Sequence, residues 1–215
     1  MSEPIGVFGG TFDPIHNGHL RTAFELWQSL RLAQVRFLPT GSPAHREAPL
    51  ASGELRLDMV RLAVTGQPGF TVDDREIRRG GVSYTVDTLT EMRSQFPDRS
   101  LCLLLGMDAF LGMPTWHRWR EIFALAHVVV AHRPGWKAPI TGPLGEEMVD
   151  RGTGSVRELH NLTAGRIHVH AVTQLEIAST DLRSLIVTGR DLRYLVPEAV
   201  RDLIAHTGCY APSGR

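Results

Sequence analysis

Cysteine is scarce in this chain, with Cys102 and Cys209 the two among 215 residues. They stand far apart and lack metal-type spacing, which argues against a disulfide framework. Cys102 lies in an apolar run and reads as a small buried hydrophobe. This usage fits a reducing, cytoplasmic setting. Net charge is lacking too, because 23 basic residues offset 23 acidic ones. A field that gathers nucleic acid non-specifically is therefore excluded. Positive charge is local instead, in Arg75-Glu76-Ile77-Arg78-Arg79 and Trp116-His117-Arg118-Trp119-Arg120. No apolar run nears the ~20 residues that cross a bilayer. The opening MSEPIGVF has neither a basic n-region nor a long h-region, so neither a membrane partner nor a signal peptide is expected.

What is present is the composition of an ordinary globular protein, 42% hydrophobic and 21% charged, which supports a substantial core. A single domain over residues 1–215 is the expectation. Short apolar runs at Ile5–Phe8, Val35–Leu38, Phe70–Val72, Leu101–Leu105, Val128–Ala131 and Ile167–Val169 read as strands. Helical periodicity appears at Leu20–Leu32, Glu54–Val64, Thr85–Phe96, Trp116–Leu125, Thr180–Val187 and Pro197–His206. In Glu54–Val64 the apolar face is expected to hold Leu55, Met59, Leu62 and Ala63. Residues 134–165, rich in Gly, Pro and Thr, read as an irregular connection, and 179–215 as a C-terminal helical segment. Strands alternating with helices imply an α/β fold, a doubly wound parallel sheet with helices on both faces. Ligands in such folds bind outside the carboxyl ends of the strands. The informative loops are then 9–17, 39–53, 106–116, 132–135 and the segment after 170.

The first of these loops is the most unusual. Gly9 and Gly10 leave the first strand and allow close backbone approach to a ligand. Asn17-Gly18 then opens a helix whose N-terminus favours anions. His16 and His19 stand three apart there, where imidazoles can donate to phosphate oxygens. The pattern is neither the Walker loop nor the G-x-G-x-x-G fingerprint. A His-x-x-His metal site competes, but no third and fourth ligand stands at matching spacing. A plain turn with incidental histidines competes as well.

Taken whole, GGTFDPIHNGH resembles the signature of the HxGH nucleotidyltransferases, carried by His16, Gly18 and His19. A second signature of that superfamily resembles IASTDLRSLI, with Ser179, Thr180 and Arg183. Read from the residues alone, Ser179 or Thr180 can cap a helix, and its N–H groups can hold phosphate. The family commonly has ISST where this chain has IAST, so Ala178 replaces a serine.

Within the superfamily, nearly the whole chain resembles the bacterial nicotinate-nucleotide adenylyltransferase family. The resemblance implies a Rossmann-like fold, with ATP and nicotinate mononucleotide as substrates and Mg²⁺ carried mainly by the ATP phosphates. It implies His16, His19 and Arg183 as catalytic residues. Gly9, Gly10, Thr11, Phe12, Gly18, Gly106, Asp108, Arg133, Ser179 and Thr180 would bind ATP. His45, Arg46, Tyr84, Thr85 and Trp116 would bind the mononucleotide, through FLPTGSPAHRE, GGVSYTVDTL and LLLGMDAFLGMPTWHRW. No protein metal ligands are implied, and no oligomeric state.

Each residue also has a plainer reading. Asp108 can be a helix N-cap, Tyr84 a half-buried strand residue, and Trp116 a core residue, as Trp119 is expected to be. Any of Arg46, Arg133 and Arg183 can be a solvated surface charge. His160, His168, His170 and His206 match no motif and read as structural. Pantetheine-phosphate adenylyltransferases and glycerol-phosphate-type cytidylyltransferases share the first motif and are the nearest alternatives. A non-catalytic nucleotide-binding regulator is the alternative of another class.

Overall fold

The first apolar run becomes the middle of a sheet because its side chains are covered on both faces. Ile5, Gly6, Val7 and Phe8 are all buried, as a strand with helices on either side requires. The computed structural model describes residues 3–43, 48–132, 141–173 and 175–212. In chain order its strands are β1 (Ile5–Gly10), β2 (Gln34–Pro39), β3 (Ser42–Pro43), β4 (Phe70–Val72), β5 (Val82–Ser83), β6 (Leu101–Gly106), β7 (His127–His132) and β8 (Ile167–Ala171). The helices are α1 (Asn17–Ser29), α2 (Gly53–Val64), α3 (Arg75–Arg79), α4 (Thr85–Gln95), α5 (Met107–Gly112), α6 (Ile122–Leu125), α7 (Gly142–Arg151), α8 (Val156–Asn161), α9 (Ser179–Val187) and α10 (Glu198–Thr207).

Six strands form one parallel sheet in the order β4-β2-β1-β6-β7-β8. The chain winds outward from β1 through β2 to β4, then crosses to β6 on the other side of β1. The switch in direction therefore falls between β1 and β6. There the helices on each side diverge and leave a crevice at the carboxyl ends of the strands. One core layer lies on one sheet face, with Phe8, Phe37, Cys102, Leu104, Val129, Leu26 and Leu182. The other, on the opposite face, gathers Ile5, Val7, Leu103, Leu105, Val128, Val130, Leu89 and Ile122. The alternation within β6 and β7 divides these residues between the two faces.

Several segments differ from the pattern-based expectation. The helix expected from Leu20 begins at Asn17, because His16 caps it. Residues 116–125 are not one helix. Arg118 adopts a left-handed φ of 51°, which breaks the segment into a 3₁₀ turn and the short α6. The stretch 134–165 is not irregular over its described part, since it holds α7 and α8. Gly142 and Pro143 open α7 and Gly152 ends it, while Gly145 is buried within it. In α2 the buried residues are Arg56, Leu57, Met59, Val60 and Val64, while Leu62 is 40% exposed. The buried face is thus rotated from the expected one, with an arginine at its centre.

Candidate active site

The β1–α1 loop begins where the sheet ends. Phe12 is held at φ 50°, its ring packed edge-on against Phe8 and His19 and tilted against Phe37. Its ring belongs to the core, so the loop offers a ligand the Phe12 backbone. The Asp13–Pro14 peptide is cis. His16 then takes an extended conformation and caps α1.

The cap is made by two imidazoles that serve each other. His16 Nδ1 accepts from the His19 backbone N–H at 3.4 Å, and His19 Nδ1 accepts from the His16 backbone N–H at 3.3 Å. The rings stack with centroids 3.6 Å apart and 25° between planes. An Nδ1 that accepts a hydrogen bond carries no proton, so each neutral ring bears its N–H on Nε2. Burial pushes the His16 imidazole down to about 4, well below the usual histidine range. Gly18 is required by this packing. A Cβ there would lie 3.0 Å from His16 Nδ1 and 3.4 Å from the Leu175 carbonyl.

Arg56 holds the loop from below. It is 1% exposed. Its Nη1 donates to the Thr11 carbonyl at 2.7 Å, Nη2 to Gly41 at 3.0 Å, and Nε to Ala51 at 3.3 Å. Burial lowers its pKa, and the charge of Asp13 opposes that shift first, with smaller opposing contributions from Tyr210, if ionised, and Glu76. The Asp13 carboxylate is buried as well. It accepts from the Leu50 and Ala51 backbone N–H groups at 2.9 and 3.1 Å and from the Tyr210 hydroxyl at 2.7 Å.

The second signature reaches the same loop. Ser179 Oγ donates to the Pro14 carbonyl at 3.0 Å, and Arg183 Nη1 to the Asp13 carbonyl at 2.7 Å. Neither Ser179 nor Thr180 caps α9. The N-cap is Ala178, whose methyl makes no cap bond. The N-cap side chain therefore supplies no acceptor to the first turn of α9.

All of this surrounds one cleft of about 1100 Å³ at the switch point. Gly9, Gly10, Thr11, Phe12, His16, Gly18 and His19 line it from the first loop. Gly106 and Asp108 line it after β6, and Ser179, Thr180 and Arg183 from α9. Asp108 is exposed in the first turn of α5, and Gly106, not Asp108, is the N-cap.

Tyr84, Thr85 and Trp116 are not in the lining of that cleft. Tyr84 is the N-cap of α4 and Thr85 its first residue, both half-buried. Tyr84 is therefore at a helix boundary and not within a strand. Its ring stands 4.6 Å from His117. Trp116 is half-buried at the end of a 3₁₀ turn, against the same core layer as Tyr84. Trp119 is the core tryptophan, 8% exposed and edge-on to Phe123. His45, Arg46 and Arg133 lie outside the described residues. Among the unmatched histidines, His160 Nε2 meets the Leu30 carbonyl at 2.9 Å and His168 Nδ1 the Thr153 carbonyl at 2.9 Å.

Sequence reading missed Arg56, Tyr210 and the anchoring role of Asp13. For Arg56 the signal was available, since it shares the helical face of Val60 and Val64 at spacings of four. For Tyr210 there was none, because 197 residues separate it from its partner.

Comparison with known proteins agrees with this geometry. Residues 7–185 match the cytidylyltransferase-like family. A protein of Aeromonas hydrophila named "Probable nicotinate-nucleotide adenylyltransferase" is 47% identical over 99% of this chain and 100% of its own. One of the same name from Halorhodospira halophila is 46% identical over 98% of each chain. Among solved structures, the Plasmodium falciparum nicotinic acid mononucleotide adenylyltransferase complexed with NaAD superposes with a TM-score of 0.74. That similarity covers 97% of both chains at 14% identity and speaks for the fold. With full-length relatives at this identity and a Rossmann-like sheet carrying both signatures on one cleft, the chain belongs to the nicotinate-nucleotide adenylyltransferase family.

Proposed function

We infer that this chain transfers the adenylyl group of ATP to nicotinate mononucleotide, giving nicotinate adenine dinucleotide and pyrophosphate in NAD biosynthesis. The observation that carries the reading is the convergence of His16, His19, the start of α9 and Arg183 on one cleft at the switch point. The cleft's flanks suit a nucleoside triphosphate. Glycines admit it closely, Nε2–H donors and the start of α9 meet its phosphates, and Asp108 accepts from ribose hydroxyls.

The mononucleotide phosphate attacks the α-phosphorus in line, and pyrophosphate leaves. No bond to the protein is made, so the rate comes from positioning and charge stabilisation. His16 and His19 donate to oxygens of the α- and β-phosphates, where charge grows in the transition state. Arg183 and the first turn of α9 hold the β- and γ-phosphates that depart. Mg²⁺ arrives with ATP as part of the substrate and needs few protein ligands.

Tyr84, Thr85 and Trp116 receive the pyridine ring. The α4 N-terminus offers backbone N–H groups to the ring carboxylate, and Trp116 offers its π-face. His45, Arg46 and Arg133 complete the phosphate-side contacts. The reaction belongs in the cytoplasm. Among the described residues, no helix is long and apolar enough to cross a membrane.

The test is pyrophosphate release with ATP and Mg²⁺, comparing nicotinate mononucleotide, nicotinamide mononucleotide and phosphopantetheine. Highest kcat/KM with the nicotinate form is expected. Turnover confined to another acceptor overturns the assignment of Tyr84, Thr85 and Trp116. ATP binding without turnover of any acceptor points to a regulator.

A further inference from the structure

Arg183 stands beside a buried carboxylate and does not pair with it fully. Its Nη1 donates to the Asp13 backbone carbonyl at 2.7 Å but is 3.6 Å from Asp13 Oδ2. A carboxylate this buried, 5% exposed, attracts any cation within reach. What satisfies it instead is a set of neutral donors, the Leu50 and Ala51 N–H groups and the Tyr210 hydroxyl. Arg56 is close to this carboxylate electrostatically, but its donors are committed to three carbonyls.

We propose that Tyr210 is a positioning residue for Arg183: by donating to Asp13 Oδ1 it keeps the Asp13 carboxylate from capturing the guanidinium, which stays turned to the cleft. The inference rests on the reading of Arg183 as a phosphate donor. Tyr210 is suited to the task. Its ring is 8% exposed and packs in the core layer that holds Val200 and Ile204. Burial first, and the Asp13 carboxylate next, push ionisation of its phenol far upward, so the hydroxyl remains a donor throughout the neutral range. No other side-chain donor to Asp13 Oδ1 stands among the described residues.

Removing the hydroxyl leaves Asp13 Oδ1 with the Ala51 N–H alone. The guanidinium, already bonded to the same residue's carbonyl and 3.6 Å from its Oδ2, can then turn to the carboxylate. Turning Nη1 or Nη2 to the carboxylate withdraws charge from the departing phosphates without removing any group from the cleft. The loss then falls on kcat and leaves mononucleotide binding intact.

Tyr210→Phe keeps the ring and its packing, and thermal unfolding confirms that the fold persists. Its kcat should fall roughly tenfold, the scale of one lost hydrogen bond to a charged group. KM for nicotinate mononucleotide should be unchanged. In an Arg183→Lys background the same substitution should cost less than about twofold, because the group it misplaces is gone. A full kcat loss in both backgrounds, or no loss in the wild-type background, overturns the role of Tyr210 and leaves Arg183's role standing. If Arg183→Lys alone leaves kcat unchanged, the reading of Arg183 fails and the present inference fails with it.

Discussion

His16 and His19 cap each other, each Nδ1 taking the other's backbone N–H while the rings stack at 3.6 Å. With each Nδ1 accepting, the N–H of a neutral ring lies on Nε2. For His16, burial disfavours the doubly protonated form and pushes the imidazole down to about 4.

In the proposed mechanism His19→Ala removes a donor from charge that develops in the transition state. The expected result in steady-state kinetics is a kcat about a hundredfold lower or more, with mononucleotide KM little changed. An unchanged kcat sinks the assigned role.

That histidine pair was legible in the sequence, and so was the sheet. Continuous apolar runs such as Leu101–Leu105 can be covered on both faces only in a parallel sheet. What escaped was whatever depends on tertiary contact. The β3–β5 pair is made by two-residue strands, Ser42–Pro43 and Val82–Ser83, too short for any periodicity. Helix α7 hid in a glycine- and proline-rich stretch because Gly142, Pro143 and Gly152 mark its ends and Gly145 is buried inside it. Arg56 broke an apolar pattern that its three carbonyl partners make tolerable. The motifs led to the first loop, Gly106, Asp108 and the start of α9 in the cleft lining, but not to Asp13, Leu50 or Ala178 there, nor to the groups that hold the lining in place.

Gly18→Ala should act through its neighbour. The added Cβ would meet His16 Nδ1 and Cε1 at 3.0 and 3.1 Å, so the ring must shift. A shift on that scale costs roughly tenfold or more in kcat. Wild-type turnover in this variant would show that the His16 ring position is not critical.

Acid should weaken the fold through His16. Its folded value is about 4 against an ordinary 6.5. Between those values the unfolded imidazole binds a proton and the folded one does not, so protons favour unfolding. Stability is thus lost as pH falls from 6.5 toward 4, by about 3 kcal/mol at the lower limit. Denaturant unfolding of His16→Gln should show a flatter profile across that window. Parallel profiles would contradict the shift.

Arg56→Met should leave the Thr11, Gly41 and Ala51 carbonyls short of a donor. The expected loss is about 3 kcal/mol, from one donor removed at each carbonyl. For a chain this size the melting midpoint then drops by roughly 6–12 °C. Calorimetry checks it, and an unchanged midpoint would mean that water replaces the guanidinium at little cost.

Asp13 takes its partners from sequence separations of 37, 38, 170 and 197 residues. During synthesis the β1–α1 loop leaves the ribosome well before Tyr210, so its anchor stays incomplete until that residue follows. Loop closures of that span come late in folding. A nascent chain can therefore hold much of its sheet before it can hold the cleft, whose anchoring waits on Tyr210.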